Sequence, residues 1–247
     1  MQKKTLVVIT FLAKEAQGNE LEYAIAGWRR HFKEDHLIVL TGENLPHFEG
    51  DDIAYVESPR VPASEGNYRA HLDYVSCLRK VRKAFPEQEG FILVADDCYA
   101  VNDFTLADVQ ALKFMPGGID YDPKSPNIWR RDKMRTKYVL QANGYPQRNF
   151  TTHLPIWYDW DKLERLWEEF HMDTVSYVVE DLYHNIYFPV AGAIEIGEDD
   201  CLKCGVYSHT PDPLRLRRAL EDKVWVTNNP DGWQEELRRL LAYHFGF

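Results

Sequence analysis

Gly90-Phe91-Ile92-Leu93-Val94-Ala95-Asp96-Asp97 is the stretch on which the reading of this chain turns. Residues 90–95 are its most hydrophobic strand-length run, and the run ends directly in two carboxylates. A continuous apolar run of this length suits a strand buried on both faces, the habit of parallel sheets. Upstream, Leu72, Val75, Leu78 and Val81 recur at helical spacing within residues 68–85, and Pro86 and Gly90 close that pattern. Residues 59–66 read as a loop. Residues 5–10 and 36–41 are two more β-branched, apolar runs, and residues 52–56 are a shorter one. Between the first two, Leu21, Ile25, Trp28 and Phe32 mark a helix, with Asn19 placed to cap it. The order strand, helix, strand, strand, helix, strand predicts an α/β, Rossmann-like, mostly parallel sheet flanked by helices. Ligands of such sheets bind beyond the carboxyl ends of the strands, where Asp96 and Asp97 fall.

The second half is less regular. Residues 115–127, rich in Pro, Gly and Asp, predict a loop. Residues 132–143 predict a helix stopped by Gly144, and residues 150–156 an extended segment carrying His153. Helices are expected over 160–170, 176–186 and 232–245, which gives a mixed, helical C-terminal part. The turn Asn228-Asn229-Pro230-Asp231 is placed to cap the last of them.

At 247 residues and 45% hydrophobic content the chain can bury one sizeable core, and a single domain is expected. The net charge of −10 excludes the broadly basic surface of a typical nucleic-acid binder. One local basic cluster follows Trp129: Arg130, Arg131, Lys133, Arg135 and Lys137. It reads either as a solvated helix face or as a phosphate or acceptor contact. The sequence shows no secretory leader and no span of membrane length, so a cytoplasmic location is expected. Cys77, Cys98, Cys201 and Cys204 then read as thiols. Cys201 and Cys204 form one CxxC, a weak zinc signal in which His209 is an eligible third ligand. The phosphate loop GxxxxGK[ST], the dinucleotide fingerprint GxGxxG and the nucleophile elbow GxSxG are all missing, which argues against P-loop kinases, nicotinamide enzymes and typical serine hydrolases.

Two adjacent carboxylates at the end of a buried strand repel each other and are costly to desolvate. A divalent cation relieves both costs. Mg²⁺ or Mn²⁺ takes one or two carboxylates together with substrate phosphate oxygens, and then stabilises a diphosphate leaving group. The alternative is a solvated strand-to-turn junction. His153, set among apolar and β-branched residues, reads either as a satisfied structural histidine or as a site residue. Glu180-Asp181 reads as a base or as helix surface.

Several segments together resemble the GT-A-like glycosyltransferases of phages and prophages, related to the Stealth capsular polysaccharide phosphotransferases. Asn19-Glu20-Leu21-Glu22-Tyr23-Ala24-Ile25, followed by Leu37-Ile38-Val39-Leu40, resembles that group's N-E-L-R-Y helix and next strand. Tyr68-Arg69 is similar to its K-Y/W-x-N helix opening, and Phe91 to Asp97 to its strand ending in N-D-D. Asn149-Phe150-Thr151-Thr152-His153-Leu154-Pro155 resembles N-F-E-x-H-x-P. Tyr183-His184-Asn185-Ile186-Tyr187 resembles Y-x-N-I-Y, and Val226-Thr227-Asn228-Asn229 the segment before the last helix. The matches keep the group's order over nearly the whole chain. The chain departs from the group at Ala95, Glu22 and Asn229, and it lacks an Arg within residues 176–178.

The resemblance implies a metal-dependent transfer of sugar from a nucleotide sugar, most simply a UDP-sugar, to an acceptor hydroxyl on a glycan or a modified DNA base. It implies Mn²⁺ or Mg²⁺ on Asp97, with Asp96 as a further ligand or a sugar-facing catalytic group, and His153 in the site. Thr10, at the end of the first strand, joins Tyr68, Arg69, Asn185 and Asn228 as expected donor contacts. The single domain 1–247 then divides into a nucleotide-sugar-binding half, 1–112, and an acceptor-side half, 113–247. Two other readings stand beside this one: Stealth-like transfer of sugar 1-phosphate, and a non-catalytic nucleotide-sugar or carbohydrate-binding module.

Overall fold

The computed structural model describes residues 4–188, 192–200 and 202–247. The expected α/β sheet flanked by helices is present. β1 (Thr5–Leu12) leads through α1 (Glu20–His31) to β2 (His36–Glu43) and β3 (Ile53–Glu57). α2 (Arg69–Ala84) then crosses to β4 (Gly90–Ala95). These four strands are parallel, and their order is β3-β2-β1-β4. The chain reverses direction across the sheet between β1 and β4, the switch point at which such sheets open a ligand crevice. Thr10 and Ala95 are register partners at the carboxyl end of that strand pair, so Asp96 and Asp97 emerge directly at the crevice.

The continuous apolar runs follow from burial on both faces. Leu6, Val8, Val39, Phe91 and Leu93 pack against Val75, Leu78 and Val81 of α2. Val7, Ile9, Ile38, Leu40, Ile92 and Val94 pack on the opposite face against Leu21, Ile25 and Trp28 of α1. Alternate residues of each strand point to opposite faces, so both sets must be apolar.

Short elements complete the chain. They are β5 (Cys98–Ala100), α3 (Leu106–Gln110), β6 (Lys113–Phe114), α4 (Ile128–Ala142), β7 (Ile156–Asp159), α5 (Trp160–Glu169) and α6 (Val179–Tyr187). Then come β8 (Ile194–Glu195), β9 (Lys203–Val206), α7 (Pro213–Asp222), β10 (Trp225–Asn228) and α8 (Glu235–Phe245). β7 joins the main sheet antiparallel to β4, and β5-β10-β9 form a small second sheet. A third apolar cluster joins Tyr23 and Ala24 of α1, Tyr99, Val206 and Val226 of the small sheet, and Leu237 and Leu241 of α8.

Several expectations need correction, beginning with the helices expected from 176 and 232, which start at Val179 and Glu235. α4 begins at Ile128, not 132, because the Asn127 side chain accepts the Arg130 amide and caps it. Residues 150–155 do not form an extended strand. The backbone turns there, and His153 takes a left-handed φ of 55°. The Asn228–Asp231 turn does not cap α8. Gln234 occupies the N-cap position, while the Asn229 side chain accepts the Gly232 amide within its own turn.

Candidate active site

A cavity of about 800 Å³ opens at the carboxyl ends of β1 and β4. Thr10, Tyr68, Asp96, Asp97 and His153 line it. So do Glu20, His71, Tyr74, Trp129 and Glu180, which the sequence either did not single out or left as weak candidates. The resembling segments, far apart in sequence, converge here: Glu20, Tyr68, the Asp pair, residues 151–154 and Asn229 all face one space.

Its electrostatics are one-sided. Glu15, Glu20, Asp73, Asp96, Asp97 and Glu180 contribute to the wall, while no Lys or Arg does among the described residues. Arg60 pairs with Glu15 and Asp73 at 2.8 and 2.9 Å. Glu20, Asp96, Asp97 and Glu180 form no ion pair among the described residues. Burial raises the Asp97 carboxyl to about 8, and the neighbouring Asp96 and Glu20 push it the same way. Asp96 is raised to about 6, chiefly by burial. Glu20 is raised to about 7 by burial, against the opposing hydrogen bond from Asn228. Asp97 Oδ1 is buried and accepts no hydrogen bond. A buried carboxylate oxygen without a donor, beside two other acids, is the environment that a cation relieves. No group of three or more His, Cys, Asp or Glu side chains is arranged to hold a metal among the described residues.

The His153 turn is held from both sides. Lys133 of α4 is fully buried and donates to Asn149 Oδ1 at 2.6 Å, Thr151 Oγ1 at 2.5 Å and Asp181 Oδ2 at 2.6 Å. Asp181 in turn accepts the Phe150 amide at 2.6 Å. Lys203 of β9, also buried, donates to Thr152 O at 2.7 Å and pairs with Glu198. The strained φ at His153 persists because these braces fix both flanks. The residue is exposed at the cavity wall, between the buried Thr152 and Leu154. Burial lowers its pKa, and Lys203 and Lys133 act in the same direction.

Other expected site residues are placed differently. Asn185 is buried and fully used: it accepts the Arg148 amide and donates to the Arg148 and Asp181 carbonyls. It ties the 148–150 segment to α6 and does not face the cavity. Asn228 accepts from Tyr99 Oη at 2.6 Å and donates to Glu20 Oε1 at 2.7 Å, so it braces Glu20 from behind. Arg69 is absent from the cavity wall, and its Nε lies 3.9 Å from Asp73. The basic cluster of α4 divides: Arg130 is exposed, while three of its members are engaged within the protein. Lys133 is internal, Arg135 binds Asp132, Ser176 and the Gly66 carbonyl, and Lys137 pairs with Asp120. Asp181, offered as helix surface, is fully buried against Lys133. His209 is exposed and pairs with Asp231 at 3.3 Å, and Cys204 is a buried thiol in β9. Cys201, the other half of the CxxC, lies outside the described residues.

Fold and site together define the class: an α/β protein with an acidic ligand cavity at the topological switch point of its sheet. Among solved structures the chain is similar to one titled "crystal structure of a glycosyltransferase involved in the glycosylation of the major capsid of PBCV-1", at 14% sequence identity and a TM-score of 0.45, covering 99% of this chain and 100% of that one. A likeness this distant says nothing of chemistry. No protein-family model and no curated protein matches the chain. No helix among the described residues is long and apolar enough to cross a membrane.

Proposed function

We propose that this chain is a metal-dependent glycosyltransferase of the phage-type, GT-A-like group, moving a sugar from a nucleoside-diphosphate sugar to an acceptor hydroxyl. The observation that carries the reading is the Asp96-Asp97 pair at the switch point of the sheet. It shares an acidic cavity with segments resembling that group, and one of its buried oxygens has no donor. Asp97 would hold Mn²⁺ or Mg²⁺, with Asp96 beside it and donor phosphate oxygens completing the shell. When bound, the metal neutralises a diphosphate leaving group. The cavity wall offers no Lys or Arg for that task among the described residues. This favours glycosyl transfer over sugar-1-phosphate transfer, in which attack at phosphorus calls for further positive charge at the reacting phosphate. Thr10 and Glu20 flank the donor side, and the braced His153 turn closes the opposite wall.

The test is thermal stability with a panel of nucleotide sugars, with and without Mn²⁺. A ligand present at 100 times its Kd stabilises by about 2.7 kcal/mol. One sugar nucleotide should raise Tm in the presence of Mn²⁺ and fail to do so in EDTA. Equal shifts with and without metal would instead favour a non-catalytic binding module.

A further inference from the structure

His71 stands in the first turn of α2, buried, on the wall of the same cavity. Its Nδ1 lies 2.8 Å from Asp132 Oδ2. Asp132 is fully buried and held by other donors: Arg135 Nη1 at 3.0 Å and the Tyr68 amide at 3.3 Å. The carboxylate accepts, so Nδ1 carries a proton and Nε2 is the nitrogen left to exchange one. Nε2 forms no hydrogen bond among the described residues. The ring's orientation is fixed further by the edge of Tyr68, whose centroid is 4.9 Å away. The charged and titratable groups around it are Asp132 and Arg135 from α4, Glu180 and Asp181 from α6, and Tyr68 at the start of its own helix.

An imidazole on a cavity wall, with a buried carboxylate behind one nitrogen and no hydrogen bond at the other, is the arrangement that orients a general base. We propose that His71 is the general base of the transfer and Asp132 the residue that positions it, an inference that rests on the glycosyltransferase reading. Two other candidates on the cavity wall, the aspartate pair and His153, fit this role less well. Asp96 and Asp97 are assigned to metal and donor, and no carboxylate orients the His153 ring. The acceptor oxygen gives its proton to His71 Nε2 while its electron pair forms the new bond to the anomeric carbon. The bond from that carbon to the diphosphate oxygen breaks, and its pair leaves with the nucleoside diphosphate. The imidazolium then returns its proton to solvent.

A purely structural dyad would only pin the start of α2 to α4. His71→Asn separates the two cases, because its amide nitrogen can still donate to Asp132 while the base is gone. The assay is nucleoside diphosphate release from UDP- and GDP-sugars with Mn²⁺. The expected result is a fall in kcat of about 100-fold or more, with donor KM little changed and loss of the acidic limb of the pH–rate profile. His71→Ala should recover part of the rate on addition of imidazole, and Asp132→Asn should shift the same limb. Wild-type turnover that His71→Asn leaves within about threefold overturns this inference alone. Failure of imidazole to rescue His71→Ala also overturns it, and serves as the deciding result if His71→Asn does not fold. Absence of wild-type turnover with any donor in the panel overturns the parent reading, and this inference with it.

Discussion

Asp97 belongs among the acids of its cavity only when something compensates its charge. Its folded pKa of about 8 lies far above the ordinary carboxylate range because it is buried beside Asp96 and Glu20. The folded protein therefore holds a proton that the unfolded chain releases near pH 4. The associated stability is fully present below that pH and is lost as pH rises toward about 8. Asp97→Asn removes this loss. In metal-free protein its Tm should exceed that of wild type by a margin that widens from about pH 5 to about pH 8, as read by scanning calorimetry. Mn²⁺ should stabilise the wild type and leave Asp97→Asn unmoved. A constant margin across that range would show that the carboxylate is not strained by its surroundings. Asp96 and Asp97 were legible from sequence because charge at the end of an apolar strand is conspicuous. His71, Asp132 and Lys133 were not, because partners separated by 61 and 48 residues meet only after α2, α4 and α6 pack.

At the scale of elements, the cavity depends on two close fits. α1, which carries Glu20, lies so near β5 that a Cβ on Gly27 would stand 2.7 Å from the Ala100 carbonyl oxygen. Gly27→Ala should cost about 1–3 kcal/mol by forcing the helix outward, measurable by urea unfolding. The second fit is the Lys133–Asp181 pair, with both side chains fully buried. Burial raises the Asp181 carboxyl and Lys133 opposes that rise. Lys133→Met leaves the buried Asp181 carboxylate without its counter-charge and its Oδ2 without the Lys133 donor, and should cost about 3–5 kcal/mol. Lys133→Met combined with Asp181→Leu should recover part of that loss, since a double-mutant cycle isolates the pair. Elements with strong periodicity, β1 to β4 and α1, α2, α5 and α8, were readable from the chain. The strands of the small sheet have three or four residues each, too short for any period to show. The His153 turn was read as extended because its conformation is imposed by Lys133 and Lys203, which lie outside the segment.

At the scale of the whole molecule, the division near residue 112 is crossed in both directions. β7 from the second half completes the main sheet beside β4, and β10 pairs β5 from the first. A fragment of residues 1–112 would expose one edge of β4 and lose two neighbours of Tyr99, Asn228 and Trp233. It should show no cooperative thermal transition, whereas the full chain should show one. The parallel core was legible because buried strands advertise themselves. The interlocking was not, because strand partners distant in sequence leave no local mark. In the proposed function, Asp97 holds the metal on which sugar transfer depends. The most direct test is nucleoside diphosphate release from the nucleotide sugar that best stabilises the chain, comparing wild type with Asp97→Ala in Mn²⁺ and in EDTA. The wild type should turn over in Mn²⁺ alone. Turnover by Asp97→Ala in Mn²⁺, or by the wild type in EDTA, at the wild-type Mn²⁺ rate would contradict it.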